Sequence, residues 1–353
     1  MAEPIRVSGD IANDETKTLT FEAGKFAGLA DGSVMVAVGD TRVLVTATAA
    51  RSPRPGADFF PLTVDIEERM YAAGKIPGSF FRREARAGES AILTCRLIDR
   101  PLRPSFPEGF RNEVLVVGTV MGADQENPYD VAAINGASAA LMLSGIAFDG
   151  PIGAVRLAYT TDGEWLAHPT YEESEAATFE IVIAGRQLDS GDIAVMMVEA
   201  GGTEKSWGYY TDGAPKVDEA ALATSLEESK QYIKAAIALQ VDLVAQYEAA
   251  NGPIEAVPYS VSTDYDDDVF AAVESAVGDR MAEVQSIADK AERIEAEGAL
   301  RDDIIASTVA GLVTDDRDQD ATTKQVKAAV RSMTKSTVRT RIVNDGVRID
   351  GRG

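Results

Sequence analysis

Two adjacent phenylalanines followed by two arginines, Phe80-Phe81-Arg82-Arg83, with Arg86 close behind, are the residues in this 353-residue chain best suited to chemistry with a polyanion. Gly74, Pro77, Gly78 and Gly88 punctuate the segment and predict an irregular loop. Neither strand nor helix periodicity turns two consecutive aromatics toward one core, so at least one ring faces solvent. An exposed ring beside guanidinium groups suits sequence-tolerant binding of a single nucleic-acid strand. A base stacks on the ring for about 1–3 kcal/mol, while arginines pair with phosphates. The same residues also suit a loop anchored to the body by its phenylalanines, with its arginines paired to Glu84 and Glu89.

The formal charge of −23 argues against a nucleic-acid partner until its distribution is considered. Between Lys75 and Arg111 stand eight basic residues (Lys75, Arg82, Arg83, Arg86, Arg96, Arg100, Arg103, Arg111) and four acidic ones, Glu84, Glu89, Asp99 and Glu108. An acidic body with one basic patch confines a polyanion to that patch.

Other chemistries lack their motifs. No phosphate-binding G-x-x-x-x-G-K-[ST] loop, G-x-G-x-x-G after a strand, H-E-x-x-H or C-x-x-C occurs. The single histidine, His168, precedes Pro169 in a polar stretch and reads as a surface or turn residue. The single cysteine, Cys95, reads as a small core residue of an amphipathic helix. Asp264, Asp266, Asp267 and Asp268 lack the spacing of a calcium loop and read as a solvated helix start. No apolar run approaches the roughly 20 residues of a membrane span, and residues 1–10 hold no export signal. The expectation is a cytoplasmic protein with no membrane partner.

The elements that must position these residues follow from the apolar patterning. Ser33 to Val38 and Arg42 to Thr48 predict a hairpin over Gly39-Asp40, and Phe59 to Ile66 a further strand. A helix over Gly88 to Arg100, with Ile92, Leu93, Leu97 and Ile98 as its apolar side, is expected to stop at Pro101. Arg96, Arg100 and Arg103 then share one side of that helix and its exit. Glu113 to Val120 predicts a buried strand, and Asp130 to Ser144 a helix capped by Asp130. Strands are expected at Ile152 to Tyr159, Phe179 to Ala184 and Ile193 to Val198, giving an α+β pattern. Beyond Val217 the composition turns helical, with helices over Glu219 to Ala249, Asp268 to Ala299 and Ala321 to Val343 around a linker at Asn251-Gly252-Pro253. In the last helix Lys324, Lys327, Arg331, Lys335 and Arg339 form one row. A solvated face is the plainer reading of that row, and RNA contact the alternative.

Three runs resemble polynucleotide phosphorylase (polyribonucleotide nucleotidyltransferase) closely: Asp58-Phe59-Phe60-Pro61-Leu62-Thr63-Val64, Tyr71 to Arg83, and Arg96-Leu97-Ile98-Asp99-Arg100-Pro101-Leu102-Arg103-Pro104. Phe106-Pro107-Glu108-Gly109-Phe110, Asn135 to Leu141 and Gly150 to Ala154 extend the likeness. The resemblance implies an RNase PH-like (ribosomal protein S5 domain 2-like) core followed by an all-helical domain. Its expected boundaries are 1–215 for the first RNase PH-like domain, 216–258 for a helix and linker, 259–341 for the all-helical domain, and 342–353 for the start of a truncated second core.

The activity implied is 3′-to-5′ phosphorolytic degradation of single-stranded RNA, as in mRNA turnover, releasing nucleoside diphosphates. Inorganic phosphate and Mg2+ or Mn2+ serve the full enzyme. A homotrimer and partners in an RNA-degradation complex are also implied. The family's catalytic parts, a serine-rich helix start and a G-D-M-D-F-K run, belong to its second core. At the matching places this chain has Asn127-Pro128-Tyr129-Asp130-Val131 and Ala177-Thr178-Phe179-Glu180-Ile181-Val182, so no catalytic residue, metal ligand or cofactor is assigned to it. Phe80, Phe81, Arg82 and Arg83 match the family's loop at the neck of its ring, with Arg86 as a helper. Arg96, Arg100 and Arg103 are candidate RNA or phosphate contacts, or else structural partners of Asp99 and Glu108. Two other activities compete: a non-catalytic RNA-binding module, and guanosine pentaphosphate synthesis, since Asp192 to Trp207 looks like the branch of the family named guanosine pentaphosphate synthetases.

Overall fold

A computed structural model describes residues 4–12, 17–54, 59–78, 80, 84, 86–261, 263–314 and 317–353. The chain divides into two compact units, Met1–Val261 and Ser262–Gly353.

The first unit is α+β and carries two sheets. Strands β1 (Ile5–Asp10), β2 (Thr18–Ala23), β3 (Gly32–Val38), β4 (Thr41–Ala49), β6 (Val114–Gly122) and β5 (Leu62–Glu68) lie side by side in that order. They are antiparallel except for the parallel β5–β6 pair. Parallel neighbours need a crossover, which helix α1 (Glu89–Leu102) supplies while packing on β5. The β3–β4 hairpin forms where expected, with Val34, Val36 and Val38 alternating onto the buried face and Gly39 at φ +58° in the turn. Pro101 does not stop α1. The helix runs through it to Leu102, and a 3-10 turn, Arg103–Ser105, follows.

The second sheet orders β10 (Ile193–Gly202), β9 (Phe179–Gln187), β7 (Ile152–Tyr159) and β8 (Trp165–Ala167), all antiparallel. Between the sheets lies α2 (Asp130–Ser144), in contact with β3 and β4 on one side and β7 on the other. Thirteen of its fifteen residues are buried, which its Ala, Gly and Ser content permits. At Gly136 the approach is so close that a Cβ would stand 2.7 Å from Val36 and 2.9 Å from Val45. Asp130 is the first residue of α2, not its cap, and the preceding Tyr129 offers no side-chain cap.

Only Leu157, Ala158 and Tyr159 of β7 pair with β8, so the first half of that edge lacks a neighbouring strand. Side chains take the place of the missing strand. Ser138 Oγ accepts from Ile152 N at 2.8 Å, and Gln240 Nε2 donates to Ile152 O at 2.9 Å. Asn135 accepts from Ala154 N at 2.9 Å and donates to Ala154 O at 3.1 Å, and His168 N donates to Arg156 O at 2.8 Å. Gln240 belongs to α5 (Glu219–Asn251), which is capped by Asp218 and buries Tyr232, Ile233, Ala236 and Ile237 along the strands. Two short helices, α3 (Tyr171–Ala176) and α4 (Ser206–Thr211), complete the unit.

The second unit is all helical: α6 (Asp267–Val277), α7 (Arg280–Gln285), α8 (Lys290–Leu312) and α9 (Gln319–Asp345). Where the composition predicts one helix over 268–299 there are three. Gly278, at φ +49°, ends α6, and Asp289 starts α8 by accepting from Ala291 N and Glu292 N, both at 2.9 Å. Val269, Val273, Val277, Ile304, Val326 and Val330 form its core. No helix among the described residues is long and apolar enough to cross a membrane.

Asn135→Ala is expected to leave the buried N–H and C=O of Ala154 without partners and to destabilise the first unit by about 2–3 kcal/mol. Urea unfolding followed by circular dichroism checks this.

Candidate RNA interface

After β5 the chain makes a 3-10 turn, Met70–Ala73, that closes on Gly74 at φ +67°. Further along, Glu84 is clamped against this turn. One carboxylate oxygen of Glu84 accepts from Met70 N and the other from Arg69 Nη1, each at 2.7 Å. Arg69 also holds Glu67, at 2.5 Å. The Arg69 hydrogen bond, with help from the Met70 N–H, keeps the Glu84 carboxyl below its ordinary pKa, so it is ionised at neutral pH. From this clamped base Phe80 projects with 95% of its surface exposed, and Arg86 is exposed on the return. Phe81, Arg82 and Arg83 lie outside the described residues. Behind the loop a cleft of about 560 Å³ is lined by Asp65, Glu67, Glu68 and Glu84 together with Arg69 and Arg86. Its excess of carboxylates disfavours phosphates inside the cleft, so a polyanion would meet the loop from outside.

The three arginines of α1 and its exit have different surroundings. Arg103 donates to both oxygens of Asp99, at 3.0 and 2.6 Å, and to the carbonyls of Phe60 and Leu62, at 3.0 and 3.1 Å. Its guanidinium carbon also lies 5.6 Å from the centre of the Phe60 ring. Arg100 bonds Glu199 and donates to Val198 O at 3.1 Å, tying α1 to β10. Arg96 is exposed and makes no ion pair or hydrogen bond among the described residues.

Asp130 and Glu180 converge from α2 and β9 on one cation, Arg156 of β7; Asp130 bonds Nη2 and Glu180 bonds Nη1 at 3.2 Å. The adjoining cavity, about 180 Å³, is bordered by Ser90, Thr94, Tyr129 and Tyr171. Two carboxylates on one guanidinium leave the cluster with a net negative charge, while Glu180 Oε1 and Arg156 Nε are buried without hydrogen-bond partners. Asp124 ties down the preceding turn: it accepts from Thr41 Oγ1 at 2.9 Å and from the N–H groups of Glu126 and Asn127 at 2.9 and 2.8 Å. These bonds outweigh burial and hold its carboxyl well below the usual range.

His168 occupies a turn, at φ +51°, but its ring points inward rather than to the surface, with Nε2 buried and unpartnered. Burial, reinforced by the nearby Lys17 ammonium, lowers its pKa to about 4. Lys17 itself pairs with Glu173 at 3.2 Å.

Ile92 and Leu93 are half exposed, at 53% and 52%, because α1 buries Ala91, Thr94, Ile98 and Leu102 instead. With Phe59 and Ile76, also exposed, they add apolar surface to this part of the unit. The sequence signal for that was the competing Ala91-Thr94-Ile98-Leu102 stripe, which follows helical spacing better than the larger residues do.

Comparison with known proteins identifies the fold and the family. Residues 15–147 match the model of the 3′ exoribonuclease family, domain 1, and residues 268–353 match that of the polyribonucleotide nucleotidyltransferase RNA binding domain. The first unit is thus an RNase PH-like domain, and the chain belongs to the polyribonucleotide nucleotidyltransferase family. The polyribonucleotide nucleotidyltransferase of Acidothermus cellulolyticus is 50% identical over 340 residues, 96% of this chain and 41% of that protein. The one from Saccharopolyspora erythraea is 51% identical over 340 residues, 96% of this chain and 44% of that protein. The chain therefore spans about two fifths of the length of these curated relatives. The solved structure of rice Rrp46 superposes with a TM-score of 0.47 at 17% identity, covering 65% of this chain and 93% of that one.

Arg103→Ala removes four charge-assisted hydrogen bonds, two to Asp99 and two to the carbonyls of Phe60 and Leu62, and is expected to lower stability by about 1–3 kcal/mol with the salt dependence of RNA binding unchanged; thermal melts and binding titrations check the two halves. The histidine makes stability pH-dependent with a definite sign. Its folded pKa of about 4 lies below the unfolded value near 6.5, so as pH falls from 6.5 to 4 the unfolded chain takes up a proton that the folded chain refuses. Stability falls on the order of 3 kcal/mol across that window. His168→Gln is expected to lose less between pH 7 and pH 4.5 in urea midpoints than the parent.

Proposed function

We propose that this chain guides single-stranded RNA for 3′-to-5′ phosphorolytic degradation to nucleoside diphosphates, with the chemistry carried by a second RNase PH-like core that the family resemblance implies. The observation that carries this reading is Phe80, held out into solvent by a loop whose base Glu84 clamps to Arg69 and Met70. A ring presented in this way offers a face for stacking, and Arg82, Arg83 and Arg86 supply cations for the adjoining phosphates. Arg96, exposed on α1, extends the cationic surface. The Asp130–Arg156–Glu180 cluster supports placing catalysis elsewhere, because its charge repels the nucleophile. Inorganic phosphate and Mg2+ or Mn2+ would then act in that second core. Exposed Ile92 and Leu93 offer apolar contact to further copies of the chain in a trimeric ring.

Two measurements test the proposal. Phe80→Ala with Arg82→Ala and Arg83→Ala is expected to weaken binding of oligoadenylate roughly tenfold or more, as loss of a stacked base and two phosphate contacts requires, and to flatten its salt dependence. Unchanged affinity would return the loop to a purely anchoring role. The 353-residue chain with poly(A) and phosphate is expected to release no nucleoside diphosphate. Release above background would show that catalysis resides in this chain.

A further inference from the structure

Nine of the thirteen basic side chains of the helical unit fall into two groups. Arg280 holds Asp303 at 2.7 Å, Arg317 holds Asp268 at 2.5 Å, Arg293 donates to the carbonyls of Ile287, Ala288 and Ile349, and Arg341 donates to Gln285 O. These four tie the unit together. Lys324, Lys327, Arg331, Lys335 and Arg339 do nothing of the kind. All five are exposed, and among the described residues none takes part in an ion pair or hydrogen bond.

Their arrangement is not what a solvated face requires. They repeat along α9 at steps of three or four residues, a row of about 22 Å at a rise of 1.5 Å per residue. From Ala321 to Asn344 the sequence has six basic residues and no acidic one, although residues 262–353 as a whole hold 13 basic and 19 acidic. Like charges at this spacing repel by about 0.2–0.5 kcal/mol per pair, and acids that would relieve them are abundant elsewhere in the unit. The helix dipole does not account for the row either, since it favours cations in the last turn, whereas Lys324 stands near the start of α9. The row forms one wall of a groove of about 910 Å³ against α8; there Arg301 pairs with Asp302 at 3.5 Å and Glu297 also lines the wall, so six cations face two carboxylates, and Ile305 and Val338 supply apolar surface between the charged stems.

We propose that this groove binds single-stranded RNA, its phosphates paired with the α9 row and its bases against the apolar strip. The match of this unit to an RNA binding domain model names a ligand class but assigns no residues; the groove supplies them. The choice of RNA as occupant rests on the function proposed above, while the groove and the Phe80 loop are separate surfaces that can fail separately.

The test uses the full chain, fluorescently labelled oligoadenylate and anisotropy titrations over a range of salt. The triple variant Lys327→Gln, Arg331→Gln, Lys335→Gln is expected to bind roughly tenfold more weakly, with a salt slope shallower by about 2, since each phosphate contact on a single strand contributes about 0.7. The charge-preserving triple Lys327→Arg, Arg331→Lys, Lys335→Arg should keep the parental affinity, which separates charge from folding. Parental affinity and slope in the glutamine triple, with its helical circular dichroism intact, would overturn the proposal. The loop variant Phe80→Ala with Arg86→Ala, run in parallel, tells the two readings apart: loss there alone removes the groove, and loss in the glutamine triple alone removes the loop. Polyglutamate displacing the oligonucleotide from the parent as readily as unlabelled oligoadenylate would assign the groove to an acidic protein and also overturn it.

Discussion

One helix buried between two sheets sets the geometry of the whole first unit. Because α2 touches β3 and β4 with one side and β7 with the other, it must be small where the strands approach, as Gly136 is, and polar where β7 lacks a neighbour. Asn135 and Ser138 meet the second demand from inside an otherwise apolar interior. An unpaired strand edge in a dry core would cost more than any single packing contact contributes. The position of α2 then places Asp130 beside Arg156, and so decides the charge of the cavity where β7, β9 and the start of α2 meet.

Cations in this acidic chain divide by what surrounds them. Arg69, Arg100, Arg103 and Arg156 each meet carboxylates or carbonyls within their own unit and so act as internal ties. Arg86, Arg96 and the row on α9 face outward instead. With a net charge of −23 repelling a polyanion from most of the surface, such outward cations need not be numerous to select where it lands.

Much of this was legible in the sequence where local pattern alone decides the outcome. The β3–β4 hairpin, β6 and β7 follow from β-branched runs broken by turn residues, and the exposed aromatic at Phe80 follows from two rings in succession inside a glycine-punctuated loop. The failures are instances of tertiary context overruling local preference. Strand β1 has Ile5 and Val7 as its only apolar residues and holds by pairing with β2, whereas β2 alternates Leu19, Phe21 and Ala23 onto the core, a period-two signal only six residues long. Ile92 and Leu93 outweigh Ala91 and Thr94 in hydrophobicity, yet the smaller pair fits the close approach of α1 to β5. Gly278 disappears among helix formers, although it ends α6. Arg103 pairs with Asp99 four residues earlier, as helical spacing allows, but the carbonyls of Phe60 and Leu62 that it also holds, and the Glu199 partner of Arg100, lie far along the chain, where no spacing rule could have found them.

The Glu84 clamp has a thermodynamic side. By joining the two ends of the loop through Met70 and Arg69, it closes that stretch of chain into a ring when the protein folds. If the loop captures a strand as proposed, the entropy lost in bringing its ends together is already absent when the strand arrives and would not weaken binding. Under the function proposed above, part of what governs affinity at Phe80 would thus reside in Glu84, at the base of the loop.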